Sequence, residues 1–261
     1  MNGLEQVFAQ CREEGRSALV GYLPAGYPDR DAAIAAVTAI AESGADIVEV
    51  GVPYSDPLMD GPVVQAAAEQ ALANGFRFAD LFDCVAAVKE AGAVPVVMSY
   101  WNPVLRYGVE RFATDLAAAG GAGLITPDLI PDEGEPWIGA ARSKDLGTIF
   151  LVAPSSTDAR LAMTADACRG FIYVASTMGV TGARTSVGSG AKTLIQRTRE
   201  VTDLPLCVGL GVSTKDQARE IAAFADGVIV GSALVAALRD DPSLGALRGL
   251  TEELAQGVRQ G

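Results

Sequence analysis

Short runs of β-branched and aliphatic residues alternate along this chain with longer stretches in which apolar positions recur every three or four residues. The short runs read as strands and the longer stretches as amphipathic helices. Most strand runs are apolar on both faces, as in a parallel sheet covered on both sides. The pattern predicts strands over 17–24, 46–53, 94–100, 123–126, 148–153, 170–176, 204–209 and 226–230. It predicts helices over 32–43, 62–74, 78–91, 109–119, 135–143, 158–168, 191–201, 214–224, 234–239 and 244–258. Ahead of them, Leu4, Val7, Phe8 and Cys11 share one helical face, which suits a short helix covering the bottom of a barrel.

Eight apolar strands alternating with helices predict an α/β fold, a (β/α)8 TIM barrel with an extra N-terminal helix and additional helices. A doubly wound open sheet is the alternative, but no GxGxxG turn follows the first strand. No Ser/Pro-rich linker or block of charge divides the chain, so residues 1–261 are read as a single domain.

Composition narrows the chemistry. A net charge of -12 argues against a nucleic-acid partner or an anionic membrane surface. No run of 18 apolar residues predicts a membrane span, and the first residues, mixed and acidic, do not read as a signal peptide. The four cysteines, Cys11, Cys84, Cys168 and Cys207, lie far apart and read as reduced core residues of a cytoplasmic protein. The chain has no histidine. That removes the commonest general base and the commonest metal ligand, so no metal site is expected, and Asp and Glu are left to carry protons.

The second strand and the loop after it, DIVEVGVPYSDPLMDG over 46–61, hold the most informative residues. Glu49 sits among Ile47, Val48, Val50 and Val52, where a carboxylate is costly to bury unless something pairs it or uses it. It is either the partner of a buried arginine or a proton carrier. Asp60 ends a loop with two prolines, and Gly61-Pro62 opens the next helix. Asp60 is either a turn and helix-start residue or a second acid over the same cavity. Tyr22, Met98 and Tyr173 stand on the first, third and sixth strands, as pocket residues or as plain barrel filling.

Active sites of this fold lie at the C-terminal strand ends, often with a phosphate site after strands seven and eight. Those ends read Gly209-Leu210-Gly211 and Gly231-Ser232-Ala233-Leu234, with a helix predicted just beyond. Glycines bring backbone N–H groups close to an anion, and a helix starting at Ser232 aims its positive end there. The Gly-rich segment after strand six adds the N–H of Gly182. The bland alternative is that these glycines only make tight turns.

Six segments carry a family resemblance: GYLPAGYP at 21–28, EVGVPYSDP at 49–57, DGP at 60–62, GVTGAR at 179–184, GLG at 209–211 and GS at 231–232. Together they resemble the α subunit of tryptophan synthase from the first strand to the last. The resemblance implies retro-aldol cleavage of indole-3-glycerol phosphate to indole and glyceraldehyde 3-phosphate. It implies no cofactor in this chain and a β-subunit partner, in an α2β2 assembly, that carries pyridoxal phosphate and receives the indole. It also implies that Asp56, in loop 53–60, faces that partner, and that Thr181 meets Asp60 when the loop over 177–190 closes. Tyr22, where many members have Phe, and Met59, where many have a smaller residue, depart from the common pattern near the indole pocket.

The reaction fits the residue types. The only lysines, Lys89, Lys144, Lys192 and Lys215, lie outside the predicted strands, so a Schiff base is not expected. Indole can be its own electron sink once its C3 is protonated. Glu49 is then expected to shuttle the proton, and Asp60 to accept a hydrogen bond from the ring N–H.

Overall fold

The computed structural model describes residues 3–175, 189–209 and 211–261. Nine strands form one sheet: β1 (Ala18–Pro24), β2 (Ile47–Gly51), β3 (Val94–Met98), β4 (Gly123–Ile125), β5 (Gly147–Ile149), β6 (Leu151–Val152), β7 (Ile172–Ala175), β8 (Leu206–Gly209) and β9 (Gly227–Val230). Their order is β5-β4-β3-β2-β1-β9-β8-β7-β6, and every pairing is parallel.

The two ends of that order are one piece of chain. Only Phe150 separates β5, which pairs with β4, from β6, which pairs with β7. The single strand expected over 148–153 therefore changes neighbour halfway, and this closes the ring. Barrel strands are tilted, so the first half of a short strand faces one neighbour and the second half the other. At the switch, the Phe150 carbonyl accepts the Tyr173 N–H at 3.1 Å, and its own N–H points to Cys168 Sγ at 3.4 Å. The expected eight-stranded barrel and these nine segments are the same object.

Around the ring lie α1 (Gly3–Glu13), α2 (Arg30–Glu42), α3 (Pro62–Ala73), α4 (Phe78–Glu90), α5 (Trp101–Tyr107), α6 (Val109–Ala118), α7 (Glu135–Ser143), α8 (Asp158–Ala167), α9 (Ser189–Arg199), α10 (Lys215–Ala222), α11 (Ser232–Asp240) and α12 (Gly245–Val258). The pattern missed α5. It has seven residues, too few for a periodic face, and it begins where strand three was extended to Tyr100. Gly108, at φ +99°, breaks α5 from α6 in a conformation that glycine adopts without strain.

Alternation along each strand sorts side chains into two cores. Outward residues such as Leu19, Val48, Val50, Val97, Leu124, Val208 and Val228 pack in one cluster with the helices. Val20, Ile47, Val96, Ile125, Ile149, Phe171, Cys207 and Ile229 form the barrel interior, joined by Leu4, Phe8 and Cys11 of α1. The N-terminal helix thus plugs the bottom of the barrel as expected, with Phe8 and Phe171 ring centroids 5.8 Å apart. All four cysteines are buried and free. Two residues further along each strand, the same inward face gives Tyr22, Glu49, Met98, Tyr173, Gly209 and Gly231. This second layer leaves a space where the lower layer is filled.

The lower end of β2 is tied down by charge. Asp46 accepts from the two terminal Arg16 guanidinium nitrogens at 2.9 Å and from the Leu19 N–H at 2.8 Å. The Arg16 side chain is only 10% exposed. Asp46→Ala leaves that guanidinium without its inner partner and an N–H without its acceptor. Urea unfolding is expected to show a loss of about 3 kcal/mol, while Asp46→Asn, which keeps the acceptor, loses less.

Candidate active site

At the C-terminal end of the barrel a cavity of about 640 Å³, its open mouth included, is lined by Tyr22, Glu49, Asp60, Met98, Tyr173, Gly211, Gly231 and Ser232. These are the expected residues, apart from Thr181 and Gly182, which lie outside the described residues. Met59, Val64, Leu151, Val212 and Ile229 complete the wall. Leu151 and Ile229 could have been found by counting inward positions; Val64 and Val212 belong to a helix and a loop, whose approach no strand period reports.

Glu49 points inward from the middle of β2, in register with Tyr22 of β1 and Val96 of β3. It is 1% exposed, and its Oε2 has no hydrogen-bond partner. Among the described residues no arginine pairs with it, so the structural ion-pair alternative finds no partner there. Burial, and after it the nearby Asp60 carboxylate, push the Glu49 carboxyl up to about 8. It is therefore a neutral acid at neutral pH.

Asp60 comes from the loop, at a different height. It does not cap α3, whose N-cap is Gly61, so the helix-start alternative also fails. Its Oδ1 accepts the Tyr100 hydroxyl at 3.0 Å, and its carbonyl accepts Gln65 Nε2 at 2.8 Å. Burial raises the Asp60 pKa and the Tyr100 hydrogen bond opposes that rise. The pair thus separates a deeply buried, partnerless acid from one whose charge is supported.

Tyr100 is the residue that sequence reasoning missed. Its hydroxyl donates to Asp60 and accepts the N–H groups of Leu58 at 3.1 Å and Met59 at 2.9 Å. One phenol therefore fixes the loop end and the acid it carries. Its ring lies 5.3 Å from that of Tyr54, whose hydroxyl accepts Asn102 Nδ2 at 3.2 Å. The available signal was position, since an aromatic just past a barrel strand's C-terminal end faces the site.

Two tyrosines fit only because glycines face them. A methyl group on Gly51 would lie 2.5 Å from the Tyr22 ring edge and hydroxyl, and one on Gly209 would lie 2.1 Å from the Tyr173 hydroxyl. Gly211 stands at φ +95°, where side chains are strained. Beyond β9, Gly231 is the N-cap of α11, whose first turn starts at Ser232. Helix first-turn N–H groups lack intrahelical partners and favour an anion. The two acids and the two glycine-rich strand ends share one cavity. Lys89 and Lys192 lie in helices, Lys144 and Lys215 at helix ends, and none lines it.

With that geometry in place, the comparisons are decisive. The family model described as "Tryptophan synthase alpha chain" matches residues 8–258. The chain belongs to the tryptophan synthase alpha chain family. It is 62% identical over 257 residues to the tryptophan synthase alpha chain of Mycobacteroides abscessus, covering 98% of this chain and 97% of the relative. The Nocardia farcinica alpha chain is 62% identical over 256 residues, with 98% and 96% covered. Among solved structures, a tryptophan synthase from Mycobacterium tuberculosis superposes with a TM-score of 0.94 at 59% identity, covering 99% of this chain and 98% of that one. The alpha subunit from Legionella pneumophila superposes at 0.88 with only 29% identity, covering 99% and 98%.

The buried acid of this family member has a stability consequence. The unfolded chain ionises Glu49 near 4.5, whereas the fold holds the proton to about 8. Stability from this group is full below the lower value and falls as pH rises to the upper one. Glu49→Gln is therefore expected to gain on the wild type from pH 5 to pH 8, by on the order of 4 kcal/mol at the top. Urea unfolding at several pH values checks this; a difference independent of pH would mean that Glu49 titrates normally.

Proposed function

We propose that this chain is a lyase that splits indole-3-glycerol phosphate into indole and D-glyceraldehyde 3-phosphate, with Glu49 and Asp60 as its catalytic residues. The single observation that carries the residue assignment is the neutral, partnerless Glu49 carboxyl facing a cavity whose other end offers Gly211, Gly231 and the start of α11 to a phosphate.

In this reading the phosphate anchors at Gly211, Gly231 and Ser232, with Gly182 adding its N–H, and the indole reaches the apolar wall that includes Met98 and Leu151. Glu49, as the acid, gives its proton to indole C3 and becomes a carboxylate. The ring is now an indolenine cation, and Asp60, kept in place by Tyr100, accepts its N–H and steadies the charge. The bond between C3 and the side chain breaks, and its electron pair returns to the ring. The adjacent carbinol becomes the aldehyde and its hydroxyl proton goes to Glu49, which ends as it began. One proton goes in and one comes out, with no change of oxidation state overall. Tyr173 backs Glu49, Thr181 meets Asp60 on closure of the loop over 177–190, and residues 1–261 act as one barrel unit.

The chain itself needs no cofactor in this scheme; pyridoxal phosphate belongs to the β subunit that takes the indole, in a cytoplasmic α2β2 complex. Asp56 does not line the cavity, and beside it Leu58 is 70% exposed on the rim. A polar and an apolar residue presented outward from the loop that holds Asp60 suit a contact that tunes the acid's position. Among the described residues no helix is long and apolar enough to cross a membrane.

Indole release from the purified chain is the assay. Glu49→Gln is expected to lower it about a thousandfold and Asp60→Asn about a hundredfold, with glycerol phosphate binding kept. Near-normal turnover in either variant removes that residue from the scheme. Because Glu49 must start protonated, kcat/KM is expected to fall above pH about 8. Added β subunit is expected to speed the release; equal rates with and without it contradict the coupling through loop 53–60.

A further inference from the structure

The Tyr22 side chain does more than wall the cavity. Strand β1 lies between β9 and β2, and the Tyr22 ring spans that interval. At one end, a methyl group on Gly231 would lie 3.4 Å from Tyr22 Cδ1; at the other, one on Gly51 would lie 2.5 Å from its Oη. The ring therefore starts beside the phosphate end and finishes on the strand that carries Glu49. Gly51 follows Glu49 by two residues on the same inward face, so the phenolic oxygen occupies the layer just above the acid. A phenylalanine would give the same apolar wall. The hydroxyl is an added polar group, and it faces the cavity rather than the packed core of the barrel.

Among the described residues that hydroxyl makes no hydrogen bond, and Tyr22 lines the cavity. Burial pushes the phenol well above its ordinary pKa, so at neutral pH it faces the cavity as a donor. Its partner is then supplied by what enters the cavity. In the proposed substrate, three carbons lie between the ring and the phosphate ester, and the two nearer the ring each bear a hydroxyl.

We infer that the Tyr22 hydroxyl hydrogen-bonds to a side-chain hydroxyl of the substrate and selects esters that carry that diol over deoxygenated ones. The inference rests on the lyase reading given above. It makes Tyr22 a specificity-determining residue rather than part of the indole wall alone. A site that offers a buried donor to a substrate hydroxyl discriminates against the analogue that lacks it, because the donor is then left unpaired.

Binding is measured by calorimetry in the Glu49→Gln chain, which holds the substrate without cleaving it. The two ligands are indole-3-glycerol phosphate and the analogue with both side-chain hydroxyls replaced by hydrogen. With Tyr22 present, the diol ester is expected to bind more tightly than the analogue. Adding Tyr22→Phe is expected to weaken the diol ester about tenfold and leave the analogue's affinity unchanged or improved, which also reports an intact fold. Equal changes for both esters, or none for either, overturn the inference while leaving the lyase reading in place. Failure of the Glu49→Gln chain to bind either ester overturns both.

Discussion

The site depends on one buried carboxyl without a counter-ion. Glu49 lies at full burial among β-branched neighbours, and no guanidinium or ammonium comes to it among the described residues. Water would stabilise its charge and the barrel interior does not, so the proton stays on up to about pH 8. A carboxylic acid that is neutral at neutral pH can protonate a weakly basic carbon, and its carboxylate can then take a hydroxyl proton. The same desolvation that costs folding energy makes the chemistry available. Asp60 is set apart by its Tyr100 hydrogen bond and its place on a loop, so the two acids are not interchangeable.

The barrel converts strand alternation into depth. Several strands contribute one inward residue to a lower apolar layer, closed from below by α1, and the next inward residue to the wall of the cavity. Ile47 and Glu49 are one such pair, Val20 and Tyr22 another, Phe171 and Tyr173 a third. Glycines at 51 and 209 leave space for two of those rings, so a methyl group at either would displace a tyrosine. The phosphate end rests on a different device, the turn at Gly211 and the start of α11. The fold and the strand-borne part of the site are therefore specified by the same alternation, and the segments beyond the strand ends add Asp60 with its supports and the wall at Gly211 and Val212.

Much of this was legible in the chain. The run IVEV announced a strand with an acid turned into the barrel, and hydrophobic period placed all eight barrel strands to within a few residues. The division of the fifth strand into β5 and β6 was not legible, because a change of pairing partner leaves no mark on a uniformly apolar run. Helix α5 was too short to show a period. Tyr100 escaped notice because its role is made by tertiary contact with a loop forty residues away in sequence, and the bonds run through backbone N–H groups that any residue carries. Thr181, given by the resemblance, and Gly182, read from the glycine-rich segment, both lie outside the described residues.

The titration of the Glu49 carboxyl itself bears most directly on this account. It can be followed by carbon NMR or isotope-edited infrared spectroscopy with labelled glutamate, using Glu49→Gln to assign the signal. A single transition near pH 8 is expected, with the acid form dominant at neutrality. A transition in the ordinary carboxylate range, about 4 to 5, would contradict it and leave the first proton transfer to another group.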